Sequence, residues 1–120
     1  MPNENVVLSG FSQIDKSELD MINKIVDTYI KKYEEISSFK SLKIHLKSVK
    51  KKTLHIPLNL VDIKLEIGNK QLASTADHRN LYSAINIALE RLYAEATHEH
   101  ELHKEKWKEF RHKVFRRSKS

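Results

Sequence analysis

The amino-acid sequence predicts an α+β domain in which a four-stranded, antiparallel-rich sheet carries two helices on one face. Two stretches have the apolar spacing of helices, and four shorter stretches have the alternation or the apolar runs of strands. Their order along the chain is strand, helix, three strands, helix, or βαβββα. Three consecutive strands joined by short turns favour an antiparallel meander. Both amphipathic helices must cover an apolar surface, so we expect them on the same side of the sheet.

The N-terminal part supplies the first strand and the first helix. A strand is predicted at Val6–Leu8, directly before a Ser-Gly turn. From Lys16 to Ile36 apolar residues recur at three- and four-residue steps, which predicts an amphipathic helix of about five turns. Asp15 or Ser17 is expected to cap this helix, because an acid follows each of them three residues later.

The second strand is predicted from Ser41 to Val49 by the alternation of apolar and polar residues. Its apolar side chains should point to one face of the sheet, and Lys43, His45 and Lys47 should point to the other. We expect Lys64 of the next strand on the same polar face. One face of the predicted sheet is therefore cationic.

The third strand is predicted from Thr53 to Ile67, after a lysine turn at residues 50–52. Its apolar phase slips by one around Asn59 and Leu60, which predicts a bulge or a break there. A Gly-Asn turn follows, and the small residues at 71–76 are expected to pair back as the fourth strand.

The second helix is the most clearly marked element of the sequence. Its apolar residues recur at helical spacing and form one stripe, made of Leu81, Tyr82, Ile85, Ala88, Leu89, Leu92 and Ala96. Asp77 precedes the helix and is expected to accept free N–H groups of its first turn. No Gly or Pro follows Ala96, so a basic helical extension is predicted. We divide the chain into a βαβββα domain at residues 1–96 and a C-terminal extension at residues 97–120.

Composition limits the class of protein. A chain of 120 residues has the length of one domain with a modest core, and without cysteine it has neither disulfides nor thiolate metal sites. No apolar run approaches the roughly 20 residues that span a bilayer, and the first residues do not have the pattern of a signal peptide. We expect a soluble, cytoplasmic protein.

The net charge of +6 is concentrated in two blocks. Residues 37–55 hold six lysines and no acid, and residues 104–120 hold eight Lys or Arg and two Glu, so the blocks carry +12 together. Residues 1–36 and 56–103 each hold four Lys or Arg and seven acids, which gives −6 together. Two basic blocks on an acidic body are typical of a polyanion-binding protein.

The first block and its neighbours supply the candidate RNA-binding residues. Lysines along a strand can follow phosphates and gain affinity through counterion release, although they also suit a solvated strand that resists aggregation. Such contacts carry no base information, so the shape of a folded RNA would be recognised. The candidates are Lys40, Lys43, Lys47, Lys50, Lys51, Lys52 and Lys64, with Arg79 and Arg91 either flanking one groove or serving as ordinary surface residues.

The C-terminal extension adds a second candidate surface. Trp107 and Phe110 share a face at three-residue spacing, suited to a partner chain or to base stacking. Lys104, Lys108 and Arg111 are candidate RNA contacts beside them. Contact with an acidic membrane surface and the absence of any specific role are the alternatives for this segment.

Metal and catalytic sites are not expected. His98, His100 and His103 form the only metal-like cluster, and they are interpreted as surface histidines because no further ligand supports a closed site. Two glycines cannot build a phosphate-cradling loop, and no nucleophile has a recognisable partner. We expect no cofactor, no small-molecule substrate and no enzymatic activity.

A family resemblance covers residues 6–96. In the ribosome hibernation-promoting factor and ribosome-associated inhibitor family, an acid-Met-Tyr-x-Ala-Ile run opens the second helix after a strand of small residues. Here Asn80-Leu81-Tyr82-Ser83-Ala84-Ile85 follows Leu72–Ala76, with Asn80 where the family has an acid. The first helix is similar as well, with Ile14-Asp15 before it and Lys32-Tyr33-Glu34 near its end.

The resemblance implies a double-stranded-RNA-binding-like βαβββα fold and a short-form hibernation factor. Such a factor occupies the decoding region of the small ribosomal subunit and excludes mRNA and tRNA, with rRNA as its partner and ribosomal proteins as further candidates. Two alternatives remain open: a protein-interaction or assembly module that uses the C-terminal extension, and a double-stranded RNA binder that is unconnected with ribosomes.

Overall fold

The computed structural model describes residues 5–50 and 57–98, with side chains described for residues 5–48 and 57–98. The elements follow the predicted βαβββα order. They are β1 (Val6–Ser9), α1 (Lys16–Ile36), β2 (Phe39–Lys50), β3 (Pro57–Ile67), β4 (Lys70–His78) and a second helix, α2, over residues 81–98.

The four strands form one mixed sheet in the order β1-β2-β3-β4. β2, β3 and β4 pair antiparallel as the predicted meander, whereas β1 pairs parallel to β2. Parallel neighbours need a crossover connection, and α1 supplies it. Because the strand order is β1-β2-β3-β4, the four-residue β1 and the nine-residue β4 lie at the two edges of the sheet.

Both helices pack on the same face of the sheet, which confirms the predicted layer arrangement. The core contains alternate residues of the strands and one stripe of each helix. Its fully buried side chains include Ile22, Val26 and Tyr33 of α1, Leu42, Ile44, Val61, Ile63 and Leu65 of the sheet, and Ile85, Leu89 and Leu92 of α2.

Tyrosines join the two helices. The fully buried Tyr33 donates its hydroxyl to the carbonyl of Leu89 at 2.8 Å, and Tyr29 donates to Oε2 of Glu90 at 2.7 Å. Burial, together with the hydrogen bond to Glu90, raises the pKa of Tyr29 to about 12, and burial raises the pKa of Tyr33 well above its usual range. Both hydroxyls therefore stay protonated donors across the physiological range.

The start of α2 differs from the prediction. Asp77 lies inside β4, where it pairs with Leu60, so it is not the N-cap residue of the helix. Asn80 is the cap: its Oδ1 accepts the backbone N–H of Ser83 at 3.0 Å, and its carbonyl accepts that of Ala84 at 3.0 Å. β4 continues to His78, beyond the expected end at residue 76, and this moves the helix start along the chain.

The predicted bulge in the third strand is wrong. β3 pairs with β2 without a shift from Pro57 to Glu66, so Asn59 and Leu60 lie in a continuous ladder. The alternation of apolar residues shifts by one along this strand because two different sites bury them. Val61 belongs to the core beneath the helices, whereas Leu58 is buried outside that core. The irregularity lies instead between Phe39 and Ser41, at the beginning of β2.

Two glycines adopt positive φ angles at strand ends. Gly10, which follows β1, has a φ of 82°, and a Cβ placed there would collide with the backbone carbonyl oxygen of Leu46. Gly68, in the turn between β3 and β4, has a φ of 56°, and its Cβ would meet the side-chain hydroxyl of Ser37 at 2.7 Å.

An alanine at each position would meet a different kind of neighbour: fixed backbone at Gly10, and a side chain that can rotate at Gly68. Gly10→Ala should lower the free energy of unfolding by about 3 kcal/mol, because left-handed strain of roughly 1–2 kcal/mol adds to a collision with backbone. Gly68→Ala should cost only about 1–2 kcal/mol, since the Ser37 side chain can rotate away. Urea denaturation measures both values, and equal losses would contradict this account.

The role of Asn80 is tested by a pair of variants. Asn80→Ala should lower the free energy of unfolding by about 1 kcal/mol, whereas Asn80→Asp keeps a side-chain acceptor and should cost little. Thermal unfolding followed by circular dichroism measures the difference. If the alanine and aspartate variants are equally destabilised, Asn80 does not act as a cap.

Candidate nucleic-acid interface

Three of the candidate RNA-binding lysines lie on the face of the sheet opposite the helices. Because side chains alternate along a strand, the residues between the core positions of β2 and β3 point away from both helices. Lys43 and Lys47 of β2 and Lys64 of β3 are exposed there, and His45 is half-buried between them. We call this surface the open face, and its members follow the predicted alternation.

Two of these lysines lie directly opposite each other. Lys43 and Lys64 are register partners, and their next neighbours in the same row are Val7 of β1 and Ala73 of β4. Like charges in directly opposed positions of a sheet are destabilising. None of Lys43, Lys47 and Lys64 makes an ion pair or a hydrogen bond to another described residue. The row therefore holds two positive charges and no local acid.

Two acids of the open face, Asp62 and Glu66, form hydrogen bonds with β4, and a third acid, Asp77, belongs to β4 itself. Asp62 accepts a hydrogen bond from the Thr75 hydroxyl at 2.8 Å, and Glu66 accepts one from the Gln71 amide at 3.0 Å. Both partners belong to β4, so the two carboxylates are engaged away from β2. The open face is thus divided into a cationic side along β2 and a mixed polar side along β4.

Ser9 and His45 form a contact that sequence reasoning did not find. The Ser9 hydroxyl lies 2.7 Å from Nδ1 of His45, its register partner across the parallel pair of β1 and β2. The alternation of β2 placed His45 on the cationic face, but it was not among the predicted RNA-binding residues. Ser9 was assigned to a turn, and only the pairing of β1 shows that it ends a strand.

The arginines lie outside the open face. Arg91 projects from α2 to the outer edge of β4, where Nη1 donates to the Thr75 carbonyl at 2.8 Å. Exposed Arg79 lies between β4 and α2, and its carbonyl accepts the side-chain amide of Asn59 at 2.9 Å. The cavity beside Arg91 measures about 160 Å³. This volume is below the roughly 300 Å³ at which small-molecule sites begin.

Lys40 is separated from the other lysines of β2. It lies at the irregularity between Phe39 and Ser41, and it lines a cleft of about 380 Å³ at the turn between β3 and β4. The side chain of Lys50 lies outside the described residues. The same holds for the remaining candidates, which are Lys51, Lys52, Lys104, Lys108, Arg111, Trp107 and Phe110.

The described part of the chain contains neither a cluster of three or more metal ligands nor a helix that could span a membrane. Residues 5–50 and 57–98 contain no group of three or more His, Cys, Asp or Glu side chains that could hold a metal ion. Within the same residues neither helix has the length and apolar character needed to cross a bilayer.

Comparisons with known proteins give a family and a fold. The family model described as "Hibernation factor Hib, C-terminal domain" matches residues 5–116. The structure is similar to the crystal structure of the Thermus thermophilus Protein Y N-terminal domain, with a TM-score of 0.55 and 16% identity over 80% of this chain and 96% of that one. It is also similar to a ribosomal subunit interface protein from Coxiella burnetii, with a TM-score of 0.52 and 13% identity over 78% and 94%. No curated protein matches the chain.

The opposed lysines give a prediction about stability. Lys64→Glu should raise the free energy of unfolding by about 0.2–1 kcal/mol, because a cross-strand attraction to Lys43 replaces a repulsion. Lys64→Gln, which removes only the repulsion, should give a smaller gain. Urea denaturation at low and high salt measures both, and the gain should shrink as salt screens the charges. A destabilised Lys64→Glu variant would show that the row is not repulsive.

Proposed function

The chain belongs to the family of the hibernation factor Hib C-terminal domain, and from this membership we propose that it binds rRNA of the small ribosomal subunit and keeps idle ribosomes from translating. In this proposal the protein is a cytoplasmic, non-enzymatic factor. It occupies the decoding region and excludes mRNA and tRNA by its volume. The observation that carries the proposal is the set of open-face lysines, Lys43, Lys47 and Lys64, which have no ion pair or hydrogen bond with another described residue.

The arrangement of charge on the open face suits a phosphate backbone. Lys43 and Lys47 lie four residues apart on β2, which is about 13 Å along an extended strand, and Lys64 stands beside Lys43. Their like charges repel each other in the free protein, and a bound polyanion would turn that repulsion into attraction. Each phosphate contact would also release condensed counterions, which favours binding at low salt.

Within the described residues, the open face carries no Phe, Tyr or Trp on which bases could stack. All aromatic residues in the described part of the chain are in the helix-side core or pack against it: Phe11, Tyr29, Tyr33, Phe39, Tyr82 and Tyr93. Sequence-specific binding of single-stranded RNA depends on aromatic or arginine surfaces that stack unpaired bases. Contacts between lysines and phosphates carry no information on the bases, so the open face would recognise the shape of a folded, base-paired RNA. This favours structured rRNA as the ligand.

Arg79 and Arg91 extend the proposed contact around the β4 side of the molecule. Arg91 spends one N–H on the Thr75 carbonyl, which fixes the guanidinium at the edge of the sheet. Its remaining donors can meet a phosphate that runs past this edge. The other predicted cations, at residues 50–52 and in the C-terminal extension, would add further contacts to the same RNA.

Cosedimentation with separated ribosomal subunits across a salt series tests the proposal. The wild-type protein should bind small subunits at low salt and dissociate as salt rises. The triple variant Lys43→Gln, Lys47→Gln, Lys64→Gln should bind more weakly, and the slope of log K against log salt should fall by roughly 2–3, because each lost phosphate contact removes about one unit.

The matched control is the triple variant Lys16→Gln, Lys24→Gln, Lys31→Gln. These exposed lysines lie on α1, on the helix side of the molecule, and their loss removes the same net charge. The control should retain most of the affinity and the slope. Equal losses in both triple variants would reduce the effect to net charge, and no binding to small subunits at low salt would overturn the proposed function. Stronger binding to free duplex RNA than to subunits would favour the non-ribosomal alternative.

A further inference from the structure

The open face also holds a histidine, which has no part in the lysine contacts proposed above. His45 lies in the middle of β2, between Lys43 and Lys47 on the same face, and its side chain is half-buried. Histidine changes its charge between about pH 5 and pH 8, whereas lysine keeps its charge throughout that range. His45 therefore decides whether the centre of this cationic strand carries two positive charges or three.

Ser9 fixes the orientation of the His45 ring without fixing its charge. The hydroxyl lies 2.7 Å from Nδ1, and a hydroxyl can either donate or accept. It can donate to Nδ1 of a neutral ring, and it can rotate to accept the Nδ1–H of an imidazolium. Nε2 makes no hydrogen bond within the part of the chain that the structure describes. The ring is thus anchored at one nitrogen and available at the other.

Charged and polar groups surround His45 on every strand that packs beside it. On its own strand it has Lys43 and Lys47, from β1 it meets Ser9 beside Val7, and from β3 it faces Asp62 beside Lys64. Asp62 is its register partner, but this carboxylate accepts the Thr75 hydroxyl and makes no ion pair with His45 among the described residues. A phosphate bound beside the ring would favour the imidazolium, because an opposite charge within a few ångströms stabilises the charged form of a side chain.

We propose that His45 is a phosphate-binding residue that contacts the RNA backbone through Nε2 as the imidazolium, so that RNA binding takes up one proton. The proton comes from the solvent, and the ring donates N–H groups to the phosphate and to Ser9 at the same time. The identity of the RNA as rRNA rests on the proposed function, whereas the phosphate site itself rests on the geometry of the open face.

The consequence is an affinity for RNA that depends on pH. Because the complex holds one more proton than the free protein, affinity rises as pH falls through the range in which histidine titrates. A single proton gives at most a tenfold change in affinity per pH unit. Lysine contacts alone produce no such dependence between pH 6 and pH 8, since lysine titrates near pH 10.

Binding of a short RNA duplex and of purified small subunits, measured from pH 5.5 to pH 8 at constant salt, tests this inference. The wild-type affinity should rise several-fold from pH 7.5 to pH 6, and calorimetry in buffers of different ionisation enthalpy should show proton uptake. His45→Gln should abolish both effects, and His45→Lys should bind with little pH dependence at about the low-pH level of the wild type. Urea denaturation verifies that the variants fold.

The control is His98→Gln, at an exposed position on α2 on the helix side of the molecule. It should keep the pH dependence of the wild-type protein. An unchanged pH dependence in His45→Gln, or no binding of either RNA by the wild-type protein, would overturn the inference. Duplex binding that depends on His45, without binding to small subunits, would sustain the phosphate site and refute the proposed ribosomal function.

Discussion

One-sided burial is the constraint on which the structure depends. Both helices cover the same face of the sheet, and the core closes around Tyr33 of α1 and Leu89 of α2, which are joined by a hydrogen bond of 2.8 Å. The alternating side chains of β2 and β3 can then be placed in only one way. Leu42, Ile44, Ile63 and Leu65 face the helices, and the lysines between them must face solvent. A shift of one residue in either strand would bury lysines and expose leucines, so the core fixes the cationic surface.

The open face gives up some stability for its charge. Directly opposed lysines without a local acid are unfavourable in a sheet, and a protein selected for stability alone would pair them with acids. The acids are present on the same face, but hydrogen bonds from Thr75 and Gln71 hold Asp62 and Glu66 on the β4 side. The result is a surface on which the two signs of charge are separated. Such an arrangement suits a ligand that brings many negative charges, and it explains why the proposed function and the stability of the domain should respond to Lys64 in opposite directions.

The family match bears on the function of the chain, whereas the solved structures bear only on its fold. The family match covers residues 5–116 and places the chain among hibernation factors, while the solved structures share only 13–16% identity and support the fold alone. A shared fold at such identity does not carry contacts from one protein to another. The RNA contacts of this chain must be derived from its own surface. Among the described candidate RNA-binding residues, Lys43, Lys47 and Lys64 lie on the open face, Arg79 and Arg91 lie on the β4 side, and Lys40 lies at the turn between β3 and β4.

Local patterns in the sequence determined the elements, their order and the division of each strand into two faces. The bounds of α1, the stripe of α2 and the alignment of Lys43, Lys47 and Lys64 all follow from periods of 3.6 and 2 residues, which are set by backbone geometry within one element. Tertiary structure alone decided the parallel pairing of β1, the continuous register of β3, the replacement of Asp77 by Asn80 as the cap, and the contact of Ser9 with His45. These features join residues far apart in the chain or depend on where a strand stops pairing, and the periodicity of a single segment contains no information on its partner or its register.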